Sequence, residues 1–125
     1  MQVNVQHKKV ASDALMQNVA EQDVDIVLIQ EPYVYQKSGQ IPGVPNAYKQ
    51  YHNGSQALAA ILIKKTISHL PLADKGGNTA AGVIVDTRDK GAVVVVSLYC
   101  PRNEQAVSEE WLYTWARCKK VSKQV

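Results

Sequence analysis

One stretch limits more than any other what this chain can fold into: residues 25–35, Asp-Ile-Val-Leu-Ile-Gln-Glu-Pro-Tyr-Val-Tyr, an apolar run that stops at a carboxylate followed by proline. Read with the two-residue period of a strand, Ile26, Leu28 and Gln30 fall on one face and Val27 and Ile29 on the other. Both faces are mostly apolar, so the strand is expected to be central and covered on both sides. Glu31 is the first position that can be wet. Pro32 disfavours helical backbone at Glu31 and removes a donor just after it, so the strand should end there with the carboxylate leaving the end of the sheet. On this stretch alone two readings stand: a solvated strand terminus, or a carboxylate fixed on rigid scaffold of the kind a metal site uses.

The flanking sequence supplies a partner for that strand. Residues 2–6 alternate polar and apolar, which suits a short strand with Val3 and Val5 on one face and Asn4 on the other. From Lys8 to Gln22, Val10, Ala11, Ala14, Leu15 and Val19 recur at helical spacing, while Ser12, Asp13, Gln17 and Glu21 take the other side. That is an amphipathic helix of about four turns. Strand, helix and strand joined by short connections make a βαβ-like unit, and pairing of its strands would bring Asn4 and Glu31 to neighbouring strand ends.

From Tyr33 to Asn46 the breakers Ser38, Gly39, Pro42, Gly43, Pro45 and Asn46 mark a long loop. Tyr33, Tyr35, Tyr48 and Tyr51 decorate it, and packing under the loop is favoured over stacking on bases. Residues 57–63 and 67–72 read as an antiparallel hairpin turning at Lys64-Lys65-Thr66. Residues 81–86 and 92–99 read as two more strands, the second apolar on both faces and therefore expected to be central. Asn103 can cap a following helix that carries Val107, Trp111, Trp115 and Cys118 on one stripe. Strand, helix, strand, loop, four strands and helix suit an α+β layered domain with a largely antiparallel sheet better than a doubly wound one.

Composition excludes several classes of function. At 125 residues and 46% hydrophobic content the chain is one domain with a genuine core. Its longest apolar runs fall far short of a membrane span, and no signal-peptide pattern opens it. Cys100 and Cys118 are too few and too far apart for a disulfide framework or a thiolate cage, so a reducing, intracellular setting is expected. Residues 75–78, Lys-Gly-Gly-Asn, lack the spacing of a phosphate-binding glycine loop, which removes a nucleotide cofactor from consideration. His7, His52 and His69 show neither metal-ligand nor base-nucleophile spacing and read as surface residues. A formal charge of +3 permits a polyanionic partner without requiring one.

Three strand exits nevertheless carry chemistry in a definite order: Asn4, then Glu31, then residues 99–103, Tyr-Cys-Pro-Arg-Asn. Here the chain resembles the endonuclease/exonuclease/phosphatase superfamily, specifically the apurinic-like endonuclease domain of non-LTR retrotransposons. Residues 2–11 look like that family's first strand and helix start, residues 25–33 like its metal-carboxylate strand, and residues 95–103 like the strand carrying its active-site tyrosine. The strand at residues 59–63 fits as well. The resemblance runs through the whole chain but corresponds to about the N-terminal half of the family's domain.

What it implies is a four-layer α/β/β/α, DNase I-like sandwich, of which this chain is a part, that hydrolyses a DNA phosphodiester with a divalent cation, usually Mg²⁺. Glu31 would hold the metal, Asn4 would support the metal or the scissile phosphate, and Tyr99 would contact that phosphate. Asn103 could be the family's asparagine shortly after the tyrosine, with Arg102 at that place in relatives of shorter spacing. DNA, and hence the nucleus, would be where such a domain acts. Two later motifs of the family, Gly-Asp-x-Asn and Ser-Asp-His, are missing from these 125 residues; no Gly-Asp dipeptide occurs and the last histidine is His69. Hydrolysis by this chain alone is therefore expected to be negligible. The alternative is a non-catalytic remnant that binds nucleic acid or another partner, and a sheet lacking its other half is expected to self-associate through its exposed face.

Overall fold

The computed structural model describes residues 1–72, 77–87, 89 and 91–99. They form two sheets and one long helix, with the elements in the order β1 (Gln2–Asn4), α1 (Lys9–Gln22), β2 (Ile26–Gln30), β3 (Tyr48–His52), β4 (Ala59–Lys64), β5 (His69–Pro71), β6 (Ala80–Thr87) and β7 (Gly91–Leu98). A 3₁₀ turn at Gly77–Thr79 leads into β6. The first sheet runs β1-β2-β4-β3 and the second β5-β6-β7. Of the described strands only β1 and β2 pair in parallel; the other neighbours are antiparallel. The expected α+β, mostly antiparallel architecture holds, as three layers: α1, the first sheet, the second sheet.

The expected βαβ unit is present, with Asn4 opposite Gln30 across the parallel pair. β2 is interior and covered on both faces. Val27 and Ile29 join Val5, Leu15, Met16, Val19, Ala60 and Leu62 in a core under α1, while Ile26 and Leu28 pack against a second core of Ile61, Ile63, Ala81, Val83 and Val85 between the sheets. Strand β4 repeats the pattern, every residue from Ala59 to Ile63 being buried.

Of the apolar residues expected on the inner face of the helix, Leu15 and Val19 are buried and Ala11 packs against the core, but Val10 and Ala14 are not part of that face. Ser12, Leu15, Met16 and Val19 are buried, whereas Val10 is 82% exposed and Ala14 lies outside. The stripe set by Leu15, Met16 and Val19 places Val10 roughly 140° round the helix from Leu15, off the core whatever its polarity. Ser12, read from the sequence as an outer residue, has a small side chain that lets the helix approach the sheet. Asp23 ends the helix in the left-handed region, at φ 53° and ψ 47°.

Three sequence expectations about strands are corrected. Residues 48–52, where the sequence reading expects no strand and sets Tyr48 and Tyr51 as decoration of the loop, are edge strand β3. The segments on either side of Lys64-Lys65-Thr66 are not a hairpin: β4 belongs to the first sheet and β5 to the second, so the turn carries the chain from one layer to the other. Strand β7 lies at the edge of the second sheet among the described residues, not at its centre, and most of its valines are only half-buried. Its apolar character on both faces reflects a position between the inner core and the outer face, where Val94 lies in register with Ile84 and exposed Leu70. The helix expected after Asn103 lies outside the described residues.

The end of the sandwich away from Glu31 is clamped by polar contacts. Lys64 Nζ lies 2.5 Å from Asp23 and 3.4 Å from Asp25, and the Tyr48 hydroxyl donates to the Val24 carbonyl. Tyr48 is buried, and Tyr33 and Tyr51 pack against the two cores, so three of the four loop tyrosines pack and only Tyr35 is exposed.

Candidate functional site at the strand exits

β1 and β2 are parallel and both finish at one end of the sandwich, which fixes the addresses of Asn4 and Glu31. β4 starts at that end, since Gln30 pairs with Ala59. In the second sheet, Ala80 pairs with Leu98, so β6 begins and β7 finishes beside each other. Backbone hydrogen bonds stitch these termini across both layers. Glu31 N donates to Leu58 O at 2.8 Å, Leu58 N to Asn78 O at 2.7 Å, and Tyr99 N to Thr79 O at 2.8 Å. Asn4, Glu31 and Tyr99 are thus gathered at one end of the molecule, as their order in the chain suggested. Asn103 and Arg102 lie outside the described residues.

The backbone at this corner is strained. Among the described residues four that are not glycine have positive φ, and three of them meet here: Gln6 and His7, each at 57°, and Glu31 at 50°. A non-glycine residue in this region costs of order 1 kcal/mol and persists where its surroundings over-determine it. They do so at Glu31, whose carbonyl accepts from His7 N at 2.8 Å while its own N–H is held by Leu58. His7 Nδ1 lies 3.0 Å from Pro32 O, an acceptor only, so that nitrogen carries the proton. The sequence placed extended backbone at Glu31 on account of Pro32; the chain instead turns left-handed there, and β2 ends one residue earlier, at Gln30.

The side chains are left ready for chemistry. Glu31 is half-buried, and its carboxylate has neither an ion pair nor a hydrogen-bond partner among the described residues. Asn4 is exposed, and its Oδ1 accepts from Gln6 N at 2.9 Å, which fixes the amide and leaves that oxygen a second lone pair. Tyr99 is half-buried. No group of three or more His, Cys, Asp or Glu side chains that could hold a metal occurs among the described residues. Glu31 and Asn4 offer hard oxygen donors suited to Mg²⁺, which commonly takes one or two carboxylates and completes its shell with water and phosphate. The donor chemistry fits the ion, with one carboxylate from this part of the fold.

Beneath the corner sits a pair that sequence reasoning missed. Gln30, 9% exposed, reaches across the sheets and donates from Nε2 to Ser97 Oγ at 3.1 Å, and Ser97, 1% exposed, donates in turn to the Ile29 carbonyl at 3.1 Å. Gln30 precedes Glu31 and Ser97 lies two residues before Tyr99, so this bridge sets the spacing of the two strands that deliver them. The signal was available: an amide on a strand covered on both faces requires a buried partner. Ser97→Ala strands the Gln30 amide and is expected to lower unfolding free energy by about 1–3 kcal/mol, read from urea denaturation; unchanged stability would mean that the bridge does not form.

Of the three histidines, His7 is exposed, as expected, whereas His52 and His69 are half-buried and hydrogen-bonded. The Gln50 amide is oriented by Ile41, accepting from its N–H at 2.8 Å and donating to its carbonyl at 3.2 Å. Its oxygen therefore accepts from His52 Nε2, 2.7 Å away. Burial lowers the His52 pKa, with the Gly54 carbonyl opposing weakly. A histidine whose folded pKa lies below its unfolded value of about 6.5 binds its proton more readily in the unfolded chain, so its contribution is complete above that pH and is lost as pH falls through and below it. The wild type should lose more stability between neutral and mildly acidic pH than His52→Gln in parallel denaturant titrations.

The chain is similar to the solved structure of the endonuclease domain of TRAS1, a telomere-specific non-LTR retrotransposon, with a TM-score of 0.69 and 25% sequence identity over 95% of this chain. Its fold is that of an endonuclease domain. The chain spans about half the length of that structure, 52% of it. No protein-family model matches the sequence, and no curated protein matches it. The endonuclease-like fold explains why β2 and β7 end together: a two-sheet sandwich presents both strand ends at one rim. No helix among the described residues is long and apolar enough to cross a membrane.

Proposed function

We propose that this chain is part of a divalent-metal-dependent DNA endonuclease domain, of the kind that nicks target DNA for retrotransposition, and that it contributes the Glu31, Asn4 and Tyr99 side of the active site. The observation that carries this reading is Glu31: a half-buried, unpaired carboxylate on strained backbone, fixed by hydrogen bonds from both neighbouring segments. Unpaired charge on over-determined backbone marks a functional position.

Glu31 would hold the metal, with Asn4 supporting it or the scissile phosphate. Bound there, Mg²⁺ would supply Lewis-acid polarisation of the phosphoryl oxygen and stabilise the developing charge. Tyr99 donates its hydroxyl to a phosphate oxygen, and Asn4 can donate its amide N–H; both are neutral and bind the anion without adding a charge. Asn103 is proposed as a further phosphate contact, the alternative being a helix cap. Groups that orient the attacking water and protonate the leaving oxygen are missing from these 125 residues, so the chain by itself is proposed to be inactive.

The test is nicking of supercoiled plasmid by this chain joined to the remaining half of the fold, taken from the TRAS1 domain. Magnesium-dependent nicking that disappears in Glu31→Ala supports the reading. Nicking that survives the substitution, or vigorous nicking by the isolated chain, overturns it.

A further inference from the structure

We propose that the groove on the lateral edge where β3 meets β5 is a second nucleic-acid contact, an anion site that takes the phosphodiester backbone through Lys49 and Lys65. It is an open cavity of about 790 Å³ lined by Gln40, Tyr48, Lys49, Tyr51, Lys65 and His69 together with Gln50. Its position sets it apart from the strand exits, since Tyr48 pairs with Lys64 at the opposite end of the first sheet and His69 pairs with Val85 toward the far end of β6.

Two cations face a wall without a counter-charge. Among the described residues no carboxylate lines the groove. Lys64, the neighbouring cation, is consumed by Asp23 and Asp25, whereas neither Lys49 nor Lys65 has an ion-pair partner among the described residues. A cavity lined by one sign of charge attracts the opposite one. Lys49 Nζ is held over the Tyr51 ring, 5.6 Å from its centroid, and the backbone N–H of Lys65 donates to Ala47 O at 2.8 Å, which fixes the main chain from which that side chain extends.

The floor is held by hydrogen bonds and a ring contact. His69 Nδ1 lies 2.7 Å from the Ile67 carbonyl and so carries the proton, leaving Nε2 to accept from the Tyr51 hydroxyl at 2.9 Å. The rings meet edge to face at 82°, locking β3 of one sheet to β5 of the other. With Lys49 covering its face, Tyr51 is a support for the cation and not a platform for a base, so the groove reads charge and not sequence. Gln40 adds a neutral donor at the rim. That the phosphate belongs to a nucleic acid rests on the endonuclease reading; the anion site itself rests on the groove.

The test uses the 125-residue chain, a short fluorescein-labelled DNA duplex and fluorescence anisotropy across about 50–200 mM salt. Lys49→Ala/Lys65→Ala is expected to weaken binding roughly tenfold at the low-salt end and to reduce the log–log salt slope by about 2, close to 0.9 for each phosphate that the protein no longer neutralises. A double variant with wild-type affinity and slope overturns the proposal, as does a chain that fails to bind the duplex at low salt. Loss of binding in Tyr99→Phe with the lysine variant unaffected would move the binding surface to the strand exits, overturning the groove while sparing the endonuclease reading. Inorganic phosphate serves as a separate arm, followed by amide chemical shifts at Tyr51 and Lys65. Displacement of the duplex by millimolar phosphate would assign the groove to free phosphate and overturn its assignment to a polynucleotide, whereas a duplex that stays bound supports it.

Discussion

Glu31→Ala in a completed domain, made by joining this chain to the other half of the fold, is expected to slow plasmid nicking by at least about 10²–10³-fold at saturating magnesium, the scale of losing one fixed electrostatic contact to a transition state. The effect should be larger than that of Tyr99→Phe. In the proposed site Glu31 would supply the carboxylate that a hard cation requires, whereas a phenol would supply one neutral hydrogen bond. The isolated chain should produce no nicks above a buffer control, since it carries neither a Gly-Asp dipeptide nor any histidine after His69. Nicking by the completed domain that is independent of magnesium would separate the endonuclease-like fold of this chain from its proposed chemistry.

The second large effect is on stability. Ile61 has no exposed surface and sits in the core between the sheets, with Ile63, Val83 and Val85 around it. Ile61→Ala removes buried aliphatic surface and leaves a cavity that two stacked sheets can close only in part, so about 2–5 kcal/mol of stability should go with it. Ile61→Val should cost only about 0.5–1.5 kcal/mol. A domain of this size is stable by about 5–15 kcal/mol, so the alanine variant should unfold at a much lower urea concentration. A loss below about 1 kcal/mol for the alanine variant would mean that the second sheet does not pack on the first.

What the sequence disclosed, and what it withheld, follows from the range of each interaction. The strand of residues 26–30 was legible because its signal is local: period-two apolar residues on both faces and a proline to stop them. The parallel β1–α1–β2 unit followed from short connections, and with it the adjacency of Asn4 and Glu31. Strand β3 was hidden because Tyr48 and Tyr51 are three apart and face opposite sides, giving no alternation, and because the glycines and prolines just before it extended the loop by inference. The assignment of β4 and β5 to different sheets is a long-range fact; a turn of Lys64-Lys65-Thr66 serves a hairpin and a crossover equally well. Likewise the left-handed backbone at Glu31 depends on Leu58 and His7 reaching it from other segments, against the preference that Pro32 imposes. The Gln30–Ser97 bridge joins residues 67 apart, so either member could be flagged as a polar residue in an apolar strand while the partner could not be named.

Manganese in place of magnesium tests the central claim most directly. Titrated into isotopically labelled protein, the paramagnetic ion broadens the amides nearest its site. Broadening should centre on Glu31, Asn4, Leu58 and Tyr99 at the strand exits, and Glu31→Gln should abolish it while leaving the rest of the spectrum in place. Broadening centred on Asp23 and Asp25 at the opposite end, or unchanged by Glu31→Gln, would contradict the assignment of Glu31 as the metal-binding carboxylate of an endonuclease site.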